Sequence, residues 1–167
     1  MANVVIFTGF SYNSTERAPL ANKTLGAYRA ASALIQAGYT VKVIDNLQLL
    51  TATETINAVY RHINEETLWV GYSSTFMTGK NHDSKMLEVY SFIKKITNAK
   101  IVYGGAGVNE NEFDPRVDYY VSGYSDTSIV ALTDYIAGKT DSLISKKING
   151  STLVDSADYP EPKMNNL

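Results

Sequence analysis

The sequence predicts a single α/β domain, a parallel sheet with helices on both faces. Two observations carry that reading. Along residues 1–138 short apolar runs alternate with longer amphipathic stretches, the order of a βαβ succession. Several of the runs are nearly continuous in Val, Ile and aromatic residues, as strands buried on both faces are. A chain of 167 residues with 44% hydrophobic content is enough for one domain with a sizeable core.

The elements follow in order. Val4-Val5-Ile6-Phe7-Thr8 is the first strand, closed by Gly9. A polar loop from Phe10 to about Ala21, with Pro19 inside it, is long for a strand-to-helix connection. A helix over about Asn22–Ala37 places Leu25, Tyr28, Ser32 and Ile35 on one face, and Gly38 stands where a left-handed C-cap residue belongs. Thr40–Ile44 is the second strand. Thr51 and Glu54 have the spacing of a capping box and open a helix running through Ile56, Val59 and Tyr60 to about Ile63. Leu68–Ser73 is the third strand. A polar loop from Ser74 to Asp83 leads to a helix with Leu87, Tyr90 and Ile93 as its buried stripe and Lys94 and Lys95 near its end. Lys100–Tyr103 is the fourth strand, closed by Gly104-Gly105-Ala106-Gly107. A short irregular or helical piece covers Asn109–Arg116. Val117–Val121 is the fifth strand, and Ser122-Gly123-Tyr124 turns the chain into a last helix over about Asp126–Ala137.

The rhythm then changes. Asn149-Gly150 between two strand-like pieces signals a hairpin. Residues 139–157 are therefore expected to form a β-hairpin appended to the sheet or packed on its edge, and residues 158–167, with Pro160 and Pro162, an extended linker. The expected fold is thus a three-layer, doubly wound, five-stranded parallel sheet of flavodoxin-like or Rossmann-like type with a C-terminal hairpin.

Composition excludes several functions. The net charge of -2 and scattered Lys and Arg give no nucleic-acid or anionic-membrane footprint. With no cysteine the chain forms no disulfide, holds no iron–sulfur cluster and offers no thiolate nucleophile. No basic or apolar leader precedes the first strand and no run suits a bilayer span, so a soluble, cytoplasmic protein is expected. There is no Ser–His–Asp arrangement, no phosphate-cradling G-x-x-x-x-G-K motif and no histidine pair with metal-ligand spacing. Gly104-Gly105-Ala106-Gly107 follows the fourth strand rather than the first and lacks dinucleotide spacing. His62, near the end of the second helix, suits a surface position where a cation meets the helix dipole, and His82 falls in a loop near the sheet rim.

In doubly wound sheets ligands bind beyond the carboxyl ends of the strands, at the switch in strand order. The segments that reach that rim are Thr8-Gly9-Phe10-Ser11-Tyr12, Ser73-Ser74-Thr75-Phe76, Gly104-Gly105-Ala106 and Gly123-Tyr124. Tight turns needed only for folding account for each taken singly. Together they present hydroxyls and side-chain-free backbone to one place.

Several segments also resemble a known family. Gly26-x-Tyr28-Arg29-x-Ala31 with Gly38–Asp45 is similar to the first helix and second strand of the N-terminal cobalamin-binding domain of B12-dependent radical SAM proteins. Leu68-x-Val70-Gly71-Tyr72-Ser73-Ser74-Thr75-Phe76 resembles that domain's third strand. Lys100-Ile101-Val102-x-Gly104-Gly105 resembles its fourth, and Val117-Asp118-Tyr119-x-Val121-x-Gly123-Tyr124-Ser125-Asp126 its fifth. Asp158-Tyr159-Pro160 with Pro162-x-Met164 resembles the linker into the radical SAM barrel.

The resemblance implies a corrinoid, a metal-bearing cofactor, on the carboxyl ends of the strands. Its nucleotide tail would run in a channel lined by Ser73–Thr75 and Gly104-Gly105, and its partner would be a radical SAM catalytic domain. The family's loop after the first strand reads Asp-x-His-x-x-Gly, whereas Gly9–Thr15 here has no histidine, so a histidine lower ligand to cobalt is not expected. Nor is catalysis by this chain alone, which ends where the barrel would begin. Two alternatives stay open: a degenerate domain that binds no cobalamin and docks a protein, with Phe10, Tyr12 and Phe76 filling the rim, and a flavodoxin-like FMN carrier using Ser11–Thr15 for the phosphate.

Overall fold

The computed structural model describes residues 3–9, 24–73, 84–105, 108, 114–141 and 147–149. Val4–Phe7 forms β1 and is buried along its whole length. It pairs on one side with β2 (Val41–Ile44) and on the other with β3 (Trp69–Ser73), both parallel. β4 (Lys100–Gly105) lies beside β3, and β5 (Tyr119–Ser122) beside β4. The parallel order β2-β1-β3-β4-β5 is the doubly wound arrangement, with its switch between β1 and β3.

Among the described residues four α-helices cover the sheet: α1 (Leu25–Gln36), α2 (Ala52–Tyr60), α3 (Ser84–Ile96) and α4 (Asp126–Ile136). Alternation along the strands divides the core in two. Val5, Phe7, Val70, Tyr72, Ile101, Tyr103 and Tyr120 face α2 and α3. Val4, Ile6, Trp69, Val102 and Val121 face α1 and α4. On the first face Tyr72, Tyr103 and Tyr120 stand on one rung of the sheet, with ring centroids 5.3 and 5.8 Å apart. The tyrosines of this rung are core residues.

The local signals act as expected at two helix ends. Gly38 follows α1 with φ +91°, a left-handed position that glycine takes without strain. The Thr51 hydroxyl accepts from the Glu54 amide at 3.2 Å, while Glu54 accepts from the Thr51 amide at 2.8 Å, a complete capping box. The Thr51 amide and, at 2.9 Å, the Thr51 hydroxyl both donate to the Glu54 carboxylate and hold it below its ordinary pKa. Thr51→Ala is expected to cost about 1 kcal/mol of stability, read as a lowered midpoint in urea with unchanged slope.

Two expectations are corrected. The buried residues of α1 are Ala27, Tyr28, Ala30, Ala31, Ala33 and Leu34, with Ser32. Leu25 and Ile35, expected on that face, are 56% and 46% exposed. Alanines let α1 settle closely on the sheet, and the contact shifts to the row that carries them. His62 lies past the end of α2, and burial, aided by Lys42 and Arg61, pushes its pKa down. That shift disfavours the cation expected at this helix end. Within the segment expected as an edge hairpin, Lys147–Asn149 joins the sheet as a sixth strand, β6, parallel to β5. The remainder of the expected hairpin and the linker lie outside the described residues.

α4 returns to the α1 face while the chain moves on to the opposite edge of the sheet. No helix among the described residues is long and apolar enough to cross a membrane.

Candidate functional site

The strand that carries Trp69 also carries Gly71 and Ser73 on the same face, because side chains alternate. Val102 and Gly104 of β4 sit in register with them, Val102 opposite Gly71 and Gly104 opposite Ser73. Val121 of β5 stands opposite Gly104, and Gly123 follows the end of β5. On the α1/α4 face β3 therefore ends in Ser73 with Gly104 of β4 beside it, so these two strands bring no large side chain to the rim.

Above this floor the first turns of α1 and α4 stand apart and leave a cleft of about 440 Å³. Its walls include Leu25, Gly26 and Arg29 of α1 and Tyr124, Ser125, Asp126 and Ile129 at the start of α4. Leu25 and Tyr124 are both largely exposed at the mouth. The lining is mainly apolar. Its charged members are Arg29 and Asp126, joined by two hydrogen bonds: Nε donates to Oδ1 at 3.2 Å and Nη2 to Oδ2 at 2.9 Å.

The two floor glycines have different causes. A Cβ on Gly71 would lie 2.5 Å from Cζ3 of Trp69, so glycine is required there by the indole folded over it. A Cβ on Gly104 would meet the Val121 carbonyl oxygen at 3.4 Å and the Val121 Cβ at 3.8 Å, ordinary contacts. Nothing in the packing beneath Gly104 demands its lack of a side chain, and what a side chain would fill is the cleft. Gly105 and Gly123 have φ +115° and +72°, which turn the chain at the rim.

Of the residues expected from the sequence, Ser73, Gly104, Gly105, Gly123 and Tyr124 line this cleft. Thr8 and Gly9 are buried, and the Thr8 hydroxyl pairs with that of Thr24, the N-cap of α1. That contact anchors the start of α1 to the end of β1. Phe10, Ser11, Tyr12, Ser74, Thr75, Phe76 and Ala106, together with His82, lie outside the described residues. The structure adds Ile6, Arg29, Trp69, Gly71, Asp126 and Ile129, which the sequence reading did not single out. Gly71 had a signal, since an isolated glycine inside a strand marks a close approach. Arg29 and Asp126 stood in the segments that carry the family resemblance, but helical charges 97 residues apart gave no sign that they pair.

His62 sits at the amino end of the sheet, where α2 hands over to β3, opposite the cleft. Among the described residues no group of three or more His, Asp or Glu is placed to hold a metal ion.

Comparison with solved structures finds the same fold in the radical S-adenosylmethionine methyltransferase TsrM from Kitasatospora setae, solved with cobalamin and a 4Fe-4S cluster bound. The TM-score is 0.59 at 18% sequence identity, over 85% of this chain and 26% of that one. A second TsrM structure, with tryptophan substrate and the SAM analogue aza-SAM, gives TM-score 0.59 and 18% identity, over 84% of this chain and 27% of that one. The chain thus spans about a quarter of the length of these neighbours. The N-terminal domain of a response regulator/sensory box/GGDEF 3-domain protein from Carboxydothermus hydrogenoformans gives TM-score 0.46 at 14% identity, over 81% of this chain and 97% of that one. No protein-family model matches the sequence, and no curated protein matches it.

Proposed function

We propose that this chain is a cobalamin-binding domain, non-catalytic by itself, that presents a corrinoid to a radical SAM catalytic domain. The observation that carries the reading is the side-chain-free floor at Gly104 in a mainly apolar cleft at the carboxyl ends of the strands. A cofactor with a flat, bulky tail needs such a cradle, and a Cβ there would enter the space it occupies. The ordered sequence resemblance and the fold shared with TsrM support the same reading.

The residues present fit the group. Ser73 supplies a hydroxyl at the rim, and Gly104, Gly105 and Gly123 bring bare backbone to the cleft. Ile6, Val102 and Ile129 supply apolar walls that exclude water from whatever is inserted. A bound corrinoid supplies cobalt-centred chemistry, and this chain's residues hold and orient it. The chain's histidines are His62 and His82, and the loop after β1 has none, so on this reading no histidine from that loop reaches the cobalt.

The mainly apolar lining among the described residues suits a corrinoid, while Ser11–Thr15, on which a flavin phosphate would rest, lie outside those residues. Parallel calorimetric titrations with hydroxocobalamin and with FMN test the assignment. Saturable binding of hydroxocobalamin at about micromolar concentration, with none of FMN, is the expected result. FMN binding alone would replace the proposal with the flavodoxin-like reading. Binding of neither would leave a docking domain.

A further inference from the structure

α1 and α4 lie side by side on one face of the sheet and are tied together at both ends. At the cleft end the Arg29 guanidinium grips the Asp126 carboxylate through two hydrogen bonds, with the Asp126 side chain only 4% exposed and that of Arg29 22%. At the far end the Tyr39 hydroxyl, just beyond α1, donates to Asp134 of α4 at 2.5 Å, and Lys139 covers the Tyr39 ring. Each helix is also fixed to the sheet separately. Tyr28 of α1 donates to Asp45 after β2 at 2.6 Å, and the Trp69 indole donates to Thr133 of α4 at 2.9 Å.

These ties are not equivalent. The far pair and the two sheet anchors fix where the helices lie, and none of Tyr28, Tyr39 or Asp134 lines the cleft. Arg29 and Asp126 do line it, on opposite walls, and they bridge the first turns between which it opens. A bidentate guanidinium–carboxylate pair fixes both distance and angle, which a single-point contact does not. We propose that the Arg29–Asp126 pair is a clasp that sets the width of the cleft, so that both are positioning residues for the ligand held between α1 and α4. Cutting the clasp leaves the helices packed through their other ties but lets their first turns splay.

The inference concerns the cleft itself; only its second test below rests on the cobalamin reading. Trp69, the sole tryptophan, forms part of the cleft floor and is 2% exposed. Its fluorescence, excited beyond the tyrosine band, reports access to the cleft without any ligand. Acrylamide quenching is compared in wild type, in the paired variant Arg29→Met/Asp126→Asn, and in Tyr39→Phe. The pair is replaced together because removing one partner strands a buried charge, and both replacements nearly keep side-chain volume.

The quenching constant is expected to rise about threefold in the paired variant and to stay at the wild-type value in Tyr39→Phe, with both folded by circular dichroism. Wild-type quenching in the paired variant overturns the clasp. So does an equal rise in Tyr39→Phe, which would mean general loosening of the helix pair. Arg29→Lys, which keeps the charge but not the two-point grip, serves if the paired variant does not fold: an intermediate rise supports the clasp and no rise overturns it.

With hydroxocobalamin as second probe, the paired variant is expected to bind at least about tenfold more weakly and Tyr39→Phe as wild type does. Equal binding by the paired variant overturns the positioning role. Absence of binding by wild type would remove the cobalamin reading, and the clasp would still be decided by the quenching result.

Discussion

Gly71→Ala is expected to destabilise the protein by about 3 kcal/mol, the largest effect of any single methyl group added to this sheet. The added Cβ would lie 2.5 Å from Cζ3 and 3.1 Å from Cε3 of Trp69. The indole is the far end of a side chain, but it is not free to yield. It is buried, and its N–H is bonded to the Thr133 hydroxyl, which itself donates to the Ile129 carbonyl at 2.6 Å. Moving the ring breaks that bond and disturbs the packing of α4 on the sheet, and close-packed interiors give little room for either. A thermal melt followed by circular dichroism should show the midpoint lowered by roughly 6–12 °C. A midpoint within roughly 2 °C of wild type would show that the ring finds another rotamer at no cost.

Gly104→Val is expected to act in the opposite way, sparing the fold and abolishing the site. Gly104 is not among the positive-φ glycines, so a β-branched residue suits its strand position. The first atom of the new side chain meets ordinary contacts, and the rest enters the cleft. Stability should change by less than about 1 kcal/mol. Affinity for hydroxocobalamin should fall at least about a hundredfold, equivalent to about 2.7 kcal/mol. A stable variant that binds cobalamin as wild type does would place the cofactor elsewhere. Gly71 and Gly104, two residues of one floor, thus separate folding from binding.

The central sheet was legible because its physics is local. Val4–Phe7 and Trp69–Tyr72 are buried, and such strands need nearly continuous apolar runs. The capping box at Thr51 and the left-handed Gly38 were legible for the same reason, since each depends on residues within one turn. The buried face of α1 was misread because apolar size was taken to mark burial. The helix packs through Ala27, Ala30 and Ala31, which permit close approach, and sends Leu25 to the mouth of the cleft. Lys147–Asn149 falls in the segment expected as an edge hairpin, and its parallel pairing with β5 was not legible in a three-residue piece with no apolar run.

The site divides in the same way. Ser73, Gly104, Gly105, Gly123 and Tyr124 follow from one rule, that ligands bind where strands of a doubly wound sheet end. The walls do not follow from it. Arg29 and Asp126 meet only because α1 and α4 share a face, which depends on the hand of two crossovers rather than on any motif. Trp69 lies low in the cleft because Gly71 allows its ring to fold over, a pairing of neighbours that a strand pattern records as one aromatic and one gap.

The most direct test of the central claim uses Trp69 as reporter during titration with hydroxocobalamin. A corrinoid absorbs in the region of tryptophan emission, and Trp69 is on the floor of the cleft in which the cofactor is proposed to sit. The account predicts saturable quenching at about micromolar hydroxocobalamin in wild type, and loss of that quenching in Gly104→Val. No saturable quenching up to about millimolar hydroxocobalamin would contradict it, and so would quenching that Gly104→Val leaves unchanged.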